Sequence, residues 1–337
     1  MKQFIKHIFI FLGFVFLVLS FEYFMSGVYR DFRRPGTNLF YDTFFYPNEN
    51  VSSYVLQEDL SKKERKTNLI TDPFGNRNSS NFNNLDILIC GDSFSSLVML
   101  KQDETIQAHI NSKSDYKANA IRIKGSLSFA NNLKYVSDRY PKPKLLVYEI
   151  IERNMHAISV PDVDFYIQFE NEREIRKNIV LHSVQKFLNE GLDLPSVANL
   201  KYQLQRIDKQ YPKSNGGEGI SFFEGKAAKR YSDKELAKLA EDIERMQMIC
   251  RKMDMEFLFL AIPNKETVFH DLLSMEKKPD NLSRLFSILS HKEVNYLNAE
   301  EILTSSKYNT YLKGDTHLSN LGSSLISEGI IRFYSEL

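Results

Sequence analysis

Leu85-Asp86-Ile87-Leu88-Ile89-Cys90-Gly91-Asp92-Ser93-Phe94 decides how this chain is read. Residues 85–90 form the short apolar run expected of a strand buried on both faces. Gly91 permits a tight turn at the strand end. Ser95-Ser96-Leu97-Val98-Met99 then opens a helix expected over about 95–111, whose first N–H groups point at whatever Ser93 attacks. A Ser just past such a turn lies at the carboxyl edge of a parallel sheet, where α/β proteins place their ligands. Taken alone, Gly-Asp-Ser reads equally as an ordinary corner with a capping Ser.

Working outward, the same rhythm repeats. Strands are expected at 85–90, 117–123, 145–150, 257–262 and 294–298. Helices fall between them. One runs over 127–140 and is stopped by Pro141 and Pro143. Another runs from a capping box of Ser232 and Glu235 to about Lys252, and a closing helix covers about Asn320 to Tyr334. Strand–helix alternation predicts a three-layer α/β/α sandwich around a central parallel sheet, occupying 71–337. Residues 155–230 break the rhythm with polar sequence and Gly216-Gly217. They read as an insertion: a lid, a partner surface, or an excursion without a role. Residues 29–70 mix aromatic, Asn, Ser and charged residues without a clear period and read as a stalk.

The amino terminus differs in kind. Ile8 to Phe21 is almost unbroken Ile, Phe, Leu and Val, preceded by Lys2 and Lys6. Over 1–28 this order fits a transmembrane signal-anchor, with Val18-Leu19-Ser20 a poor cleavage site. Lys2 and Lys6 favour an inside amino end, against Arg30, Arg33 and Arg34 on the far side. The expected topology is a single pass in the cytoplasmic membrane with the domain extracytoplasmic.

Charge excludes a class of partner. The 337 residues carry 44 Lys and Arg against 43 Asp and Glu, a net charge of +1, which gives no footprint for nucleic acid. Cys90 and Cys250 are too few for a disulfide framework and read as small buried residues. The histidines outside the closing motif show no metal-ligand spacing, and there is no Gly-rich phosphate loop, so neither metal nor cofactor is expected.

The chemistry comes from the other end of the chain. A Ser hydroxyl needs a base within hydrogen-bond reach, and the base needs a group that fixes its tautomer. Gly314-Asp315-Thr316-His317 offers both, because residues at i and i+2 on an extended loop project to one side. By itself Asp315-Thr316-His317 is more often a helix-capping loop with a surface His. In chain order behind Gly91-Asp92-Ser93, it reads as the rest of a triad.

Gly91-Asp92-Ser93 and Asp315-Thr316-His317 resemble the first and last blocks of the SGNH hydrolase superfamily. The Asp-x-His spacing is similar to that of the periplasmic SGNH-like proteins of alginate and other exopolysaccharide O-acetylation. Gly75-Asn76-Arg77, Glu149-Ile150-Ile151-Glu152-Arg153 and Ile262-Pro263-Asn264-Lys265-Glu266-Thr267-Val268 fit that group too, so the resemblance spans 72–325. It implies Ser93 as nucleophile, His317 as general base and Asp315 as its orienting carboxylate. It implies an oxyanion hole from the backbone N–H groups of Ser93 and Gly125. The usual Gly before Asn is missing, so Arg153 or Asn154 is the third donor, or Arg153 pairs with Glu149. Lys265 contacts a sugar or satisfies a strand-end carbonyl. The activity implied is membrane-anchored O-acetylation of a polysaccharide, the acetyl donor arriving through a multi-pass membrane acyltransferase. The same triad serves an esterase or deacetylase, and a non-catalytic scaffold of a polysaccharide export complex is the third reading.

Overall fold

The computed structural model describes residues 2–28, 50–58, 63–79, 83–96, 100–122, 129, 133, 136–158, 160, 230–272, 278–306, 309–313 and 316–337. The chain divides into two units, Met1–Asp42 with Asn171–Gln210, and Thr43–Glu170 with Tyr211–Leu337. In the first unit, α1 is one helix, Lys2–Val28. Phe9, Phe11, Phe14, Phe16 and Leu17 are all more than half exposed on it. Side chains of α1 are described without a break only over 6–18, and among the described residues no helix is long and apolar enough to cross a membrane.

The second unit is built on a parallel sheet. Its strands are β3 (Leu85–Gly91), β4 (Ala118–Arg122), β5 (Pro143–Ile151), β6 (Glu256–Ile262) and β7 (Tyr296–Leu297), in the order β4-β3-β5-β6-β7. Every neighbouring pair is parallel. The chain leaves β3 outward to β4 and then returns across it to β5. The carboxyl ends of β3 and β5 therefore flank the switch point of the sheet, where a crevice opens.

Alternation along each strand feeds two cores. Leu88 and Cys90, Leu146 and Ile150, and Phe257, Phe259 and Ala261 face one side. There they meet helices α4 (Asp233–Lys252) and α6 (Asn281–His291), between which the chain forms the short helix α5 (Lys265–Val268). Ile87 and Ile89, Leu145 and Val147, and Leu258, Leu260 and Ile262 face the other. That side is covered by α3 (Ile106–Lys113), α7 (Ala299–Thr304) and α8 (Asn320–Ser335). Each such side chain contributes about 1.5–3 kcal/mol on burial, which explains why both parities of these strands are apolar. Helix α4 starts as its capping box requires, with Ser232 N–H donating to Glu235 Oε2 at 2.8 Å and Glu235 N–H to Ser232 Oγ at 3.3 Å.

Three expectations need correction. The single helix over 95–111 is instead α2 (Ser93–Ser96), a 3-10 turn over Gln102–Glu104, and α3. Buried Arg77 causes the break: its guanidinium donates to Leu100 O at 2.7 Å and to Gln102 Oε1 at 2.9 Å. Lys101 and Thr105 are both extended (ψ 164° and 159°). Second, part of the stalk is an antiparallel hairpin, β1 (Asn50–Glu58) and β2 (Lys63–Ile70). Gln102 ties its end to the domain through Ile70 N–H and O, both at 3.3 Å. Third, β7 is shorter than 294–298, because Val294 N–H caps α6 at Leu289 O and Asn295 N–H donates to Gln247 Oε1. Of the helix expected over 127–140, Phe129, Leu133, Val136 and Ser137 are described and helical, and most of the 155–230 insertion lies outside the described residues.

One edge of the sheet is closed by side chains. Along β4, Ala118 exchanges both backbone bonds with the Asn111 amide at 2.8 and 2.9 Å. Ala120 does the same with the Asn78 amide at 2.8 and 3.0 Å. Arg122 N–H donates to Asn76 Oδ1 at 3.3 Å. Three carboxamides thus occupy the positions an added strand would take.

Candidate active site

The corner at Gly91-Asp92-Ser93 follows from local sequence. β3 ends at Gly91, and α2 begins at Ser93. Asp92 caps the turn: Phe94 N–H donates to Asp92 Oδ1 at 3.0 Å, and Ser95 Oγ to Asp92 O at 3.1 Å. Glycine is required at 91 because a Cβ there would lie 1.9 Å from Glu149 Oε2. Phe94, fully buried, turns inward and fixes the start of α2.

The histidine arrives on a loop held by distant partners. Tyr311 and Leu318 form an antiparallel bridge, and Leu312 N–H donates to His317 O at 3.0 Å. Tyr311 Oη donates to Pro263 O at 2.6 Å. Lys265 Nζ donates to Leu312 O at 2.6 Å and to Lys313 O at 2.8 Å. Ser319 caps α8 by accepting from Gly322 N–H at 3.2 Å. That first turn presses on Thr310, whose carbonyl lies 2.1 Å from where a Cβ on Gly322 would be.

These two pieces meet. His317 Nε2 lies 2.9 Å from Ser93 Oγ, across 224 positions of sequence. The imidazole rests on the Phe94 ring, centroids 4.7 Å apart and planes at 35°. Both Ser93 and His317 are half-buried. Asp315 and Gly125 lie outside the described residues.

The ends of β5 and β6 supply the surroundings. Asn154 is exposed, and its Nδ2 donates to Asp92 Oδ2 at 3.4 Å, which places the amide beside the turn that carries Ser93. The Arg153 guanidinium reaches Asn264 Oδ1 at 3.4 Å and Thr316 Oγ1 at 3.5 Å. It therefore borders the histidine loop. The Arg153–Glu149 pair is not formed, since neither Glu149 oxygen has a hydrogen-bond partner among the described residues. Of the two readings of Lys265, the carbonyl contact is the one formed: the side chain is fully buried, and its ammonium donates to Leu312 O and Lys313 O. Glu152 Oε2 accepts from Asn264 N–H at 3.0 Å and from Thr267 Oγ at 2.7 Å, which locks the two strand ends together.

Charges here are shifted by burial. It pushes the Glu149 carboxyl well above the carboxylate range, and the nearby Asp92 adds to the shift. It also raises Glu152, against the bonds from Asn264 and Thr267. It lowers Arg122, at the end of β4, while Asp92 beside it acts in the opposite sense. Sequence reasoning missed Phe94 as the support of the imidazole, Tyr311 as a clamp of the loop, and Glu149 beneath Gly91. Of these only Phe94 carried a signal, its place directly after the Ser.

No family model and no curated protein matches the chain. Solved structures similar in fold include the acetyl xylan esterase AlAXEase, at 12% identity and TM-score 0.36, covering 74% of this chain and 99% of its own. A member of the lipolytic G-D-S-L family from Veillonella parvula matches at 7% identity and TM-score 0.39, over 75% and 100%. A GDSL-like lipase from Bacteroides thetaiotaomicron matches at 10% identity and TM-score 0.37, over 74% and 88%. The functional reading rests on this chain's own residues: a Ser and a His in hydrogen-bond contact at the switch point of a parallel α/β sheet.

Proposed function

We propose that this chain is an SGNH-type serine enzyme of acyl esters, and within that class an extracytoplasmic O-acetyltransferase of a polysaccharide. The observation that carries the reading is the 2.9 Å contact between Ser93 Oγ and His317 Nε2. In the proposed reaction Ser93 gives its proton to His317 Nε2, and Oγ attacks the acetyl carbonyl. The ester C–O bond then breaks, and His317 returns the proton to the departing alcohol. In the second half, a sugar hydroxyl gives its proton to His317 and attacks the acetyl carbonyl, the bond from the acetyl carbon to Ser93 Oγ breaks, and His317 passes the proton to Oγ. Asp315, two residues before His317, is the proposed carboxylate for its other nitrogen. The proposed oxyanion donors are the N–H groups of Ser93 and Gly125 with Asn154 or Arg153.

The apolar run of 8–21 supports a membrane anchor, single-pass in the cytoplasmic membrane, with a multi-pass acyltransferase as the acetyl source. A second reading, an SGNH-type carbohydrate esterase, is favoured by the half-buried Ser93 and His317. Water reaches such a site as readily as a sugar hydroxyl does.

The full chain in detergent, given an activated acetyl ester, tests both. Acetyl-enzyme formation on Ser93, followed by intact mass measurement, is the expected result, with transfer to added glycan outpacing hydrolysis. Hydrolysis alone would favour the esterase. Wild-type turnover in Ser93→Ala would remove Ser93 as nucleophile, and no turnover in the wild type would leave the scaffold.

A further inference from the structure

Beneath the nucleophile turn lies a carboxyl group that the proposed chemistry does not use. Glu149 is 2% exposed, and both its oxygens lack a hydrogen-bond partner of ordinary geometry among the described residues. Its carboxyl fills the space under Gly91, so closely that Oε2 lies 1.9 Å from where a Cβ on that residue would be. The groups facing it are acidic or neutral. They are the Asp92 carboxyl and the backbone N–H groups of Asp92 and Ser95. The cation of this region, Arg122 of β4, interacts with Asp92. A buried carboxylate with no cation and no completed hydrogen bonds is strongly unfavourable, so the group keeps its proton.

We propose that Glu149 is a positioning residue of the nucleophile turn, resting on the acyl-transfer reading above: uncharged beneath Gly91, its carboxyl O–H is offered to Asp92, and this fixes the corner that presents Ser93 to His317. Asp92 is the hinge of that corner, since it also caps α2 through Phe94 N–H and meets Asn154. A carboxylate in its place would set two like charges under one turn, and an apolar side chain would leave Asp92 without the donor below. In both cases the Ser93 hydroxyl shifts against the imidazole, and a misplacement of about 1 Å costs on the order of a hundredfold in rate.

The test uses the full chain in detergent with an activated acetyl ester. Glu149→Leu should lower kcat by about ten- to a hundredfold with KM changed less than about twofold. Glu149→Gln keeps a neutral donor of the same shape and should restore kcat to within about threefold of wild type. It should also extend activity to higher pH, because it has no proton to lose. Thermal unfolding reads the same state without turnover. A raised carboxyl favours the folded chain below its ordinary value of 4.5 and loses that advantage as pH rises through the folded value. The Tm of Glu149→Gln relative to wild type should therefore climb as pH rises from about 4.5 towards the folded value and level off above it. Ser93-dependent turnover that is unchanged in Glu149→Leu, or a Gln variant as impaired as the Leu variant, overturns the inference alone. A Tm difference independent of pH overturns it too. Absence of Ser93-dependent turnover in the wild type sinks the functional reading instead, and the Tm comparison still decides the state of Glu149.

Discussion

The two halves of the Ser93–His317 pair are held in place by opposite means. The serine corner is local: within ten residues β3 ends, Asp92 caps the turn, and buried Phe94 starts α2. The histidine loop is held from afar, by Tyr311 on Pro263 O and by Lys265 on Leu312 O and Lys313 O, contacts spanning 47 or 48 positions. A corner made by local geometry survives changes elsewhere in the chain. A loop clamped by a few side chains to backbone carbonyls depends on each of them.

Substitutions at the two halves separate these cases. Ser93→Ala and His317→Ala should each remove on the order of a thousandfold or more of kcat, and the double variant should lose little further, as the two act as one unit. Full additivity in acetyl ester turnover would break the pairing. Lys265→Met should come next. It leaves two carbonyls without their donor, which costs about 1–3 kcal/mol. It should lower Tm and slow kcat together, whereas a lower Tm with unchanged kcat would mean that the loop keeps His317 in place without its clamp. Phe94→Leu should have the smallest effect, a loss of about three- to tenfold in kcat, since the imidazole loses a flat support while the corner keeps its caps. A loss as large as that of His317→Ala would show that the ring, not the loop, sets the imidazole.

Legibility in the sequence follows the same division. The runs at β3, β5 and β6 announce themselves because both faces of each strand are buried, so both parities are apolar. Gly91-Asp92-Ser93 was readable for the same reason as the corner is stable: everything that makes it lies nearby. The break before α3 is not, because its cause is Arg77, whose guanidinium takes a carbonyl 23 positions away. The hairpin of β1 and β2 escaped notice because Lys63-Glu64-Arg65-Lys66 shows no apolar alternation. Lys265 and Glu149 are ionisable residues with burial imposed by tertiary neighbours, and sequence alone places such residues at the surface.

The three carboxamides along β4 bear on how copies of this chain meet one another. An open sheet edge is a template on which a second molecule can add a strand, the start of aggregation. Here the outward groups of Ala118 and Ala120 and the N–H of Arg122 are already occupied by Asn111, Asn78 and Asn76. The opposite edge, β7, offers only two residues. Hydrolysis of the Asn78 amide to a carboxylate would set an anion against Ala120 O where a donor had been, and chemical ageing at that one residue would reopen the edge to polymerisation.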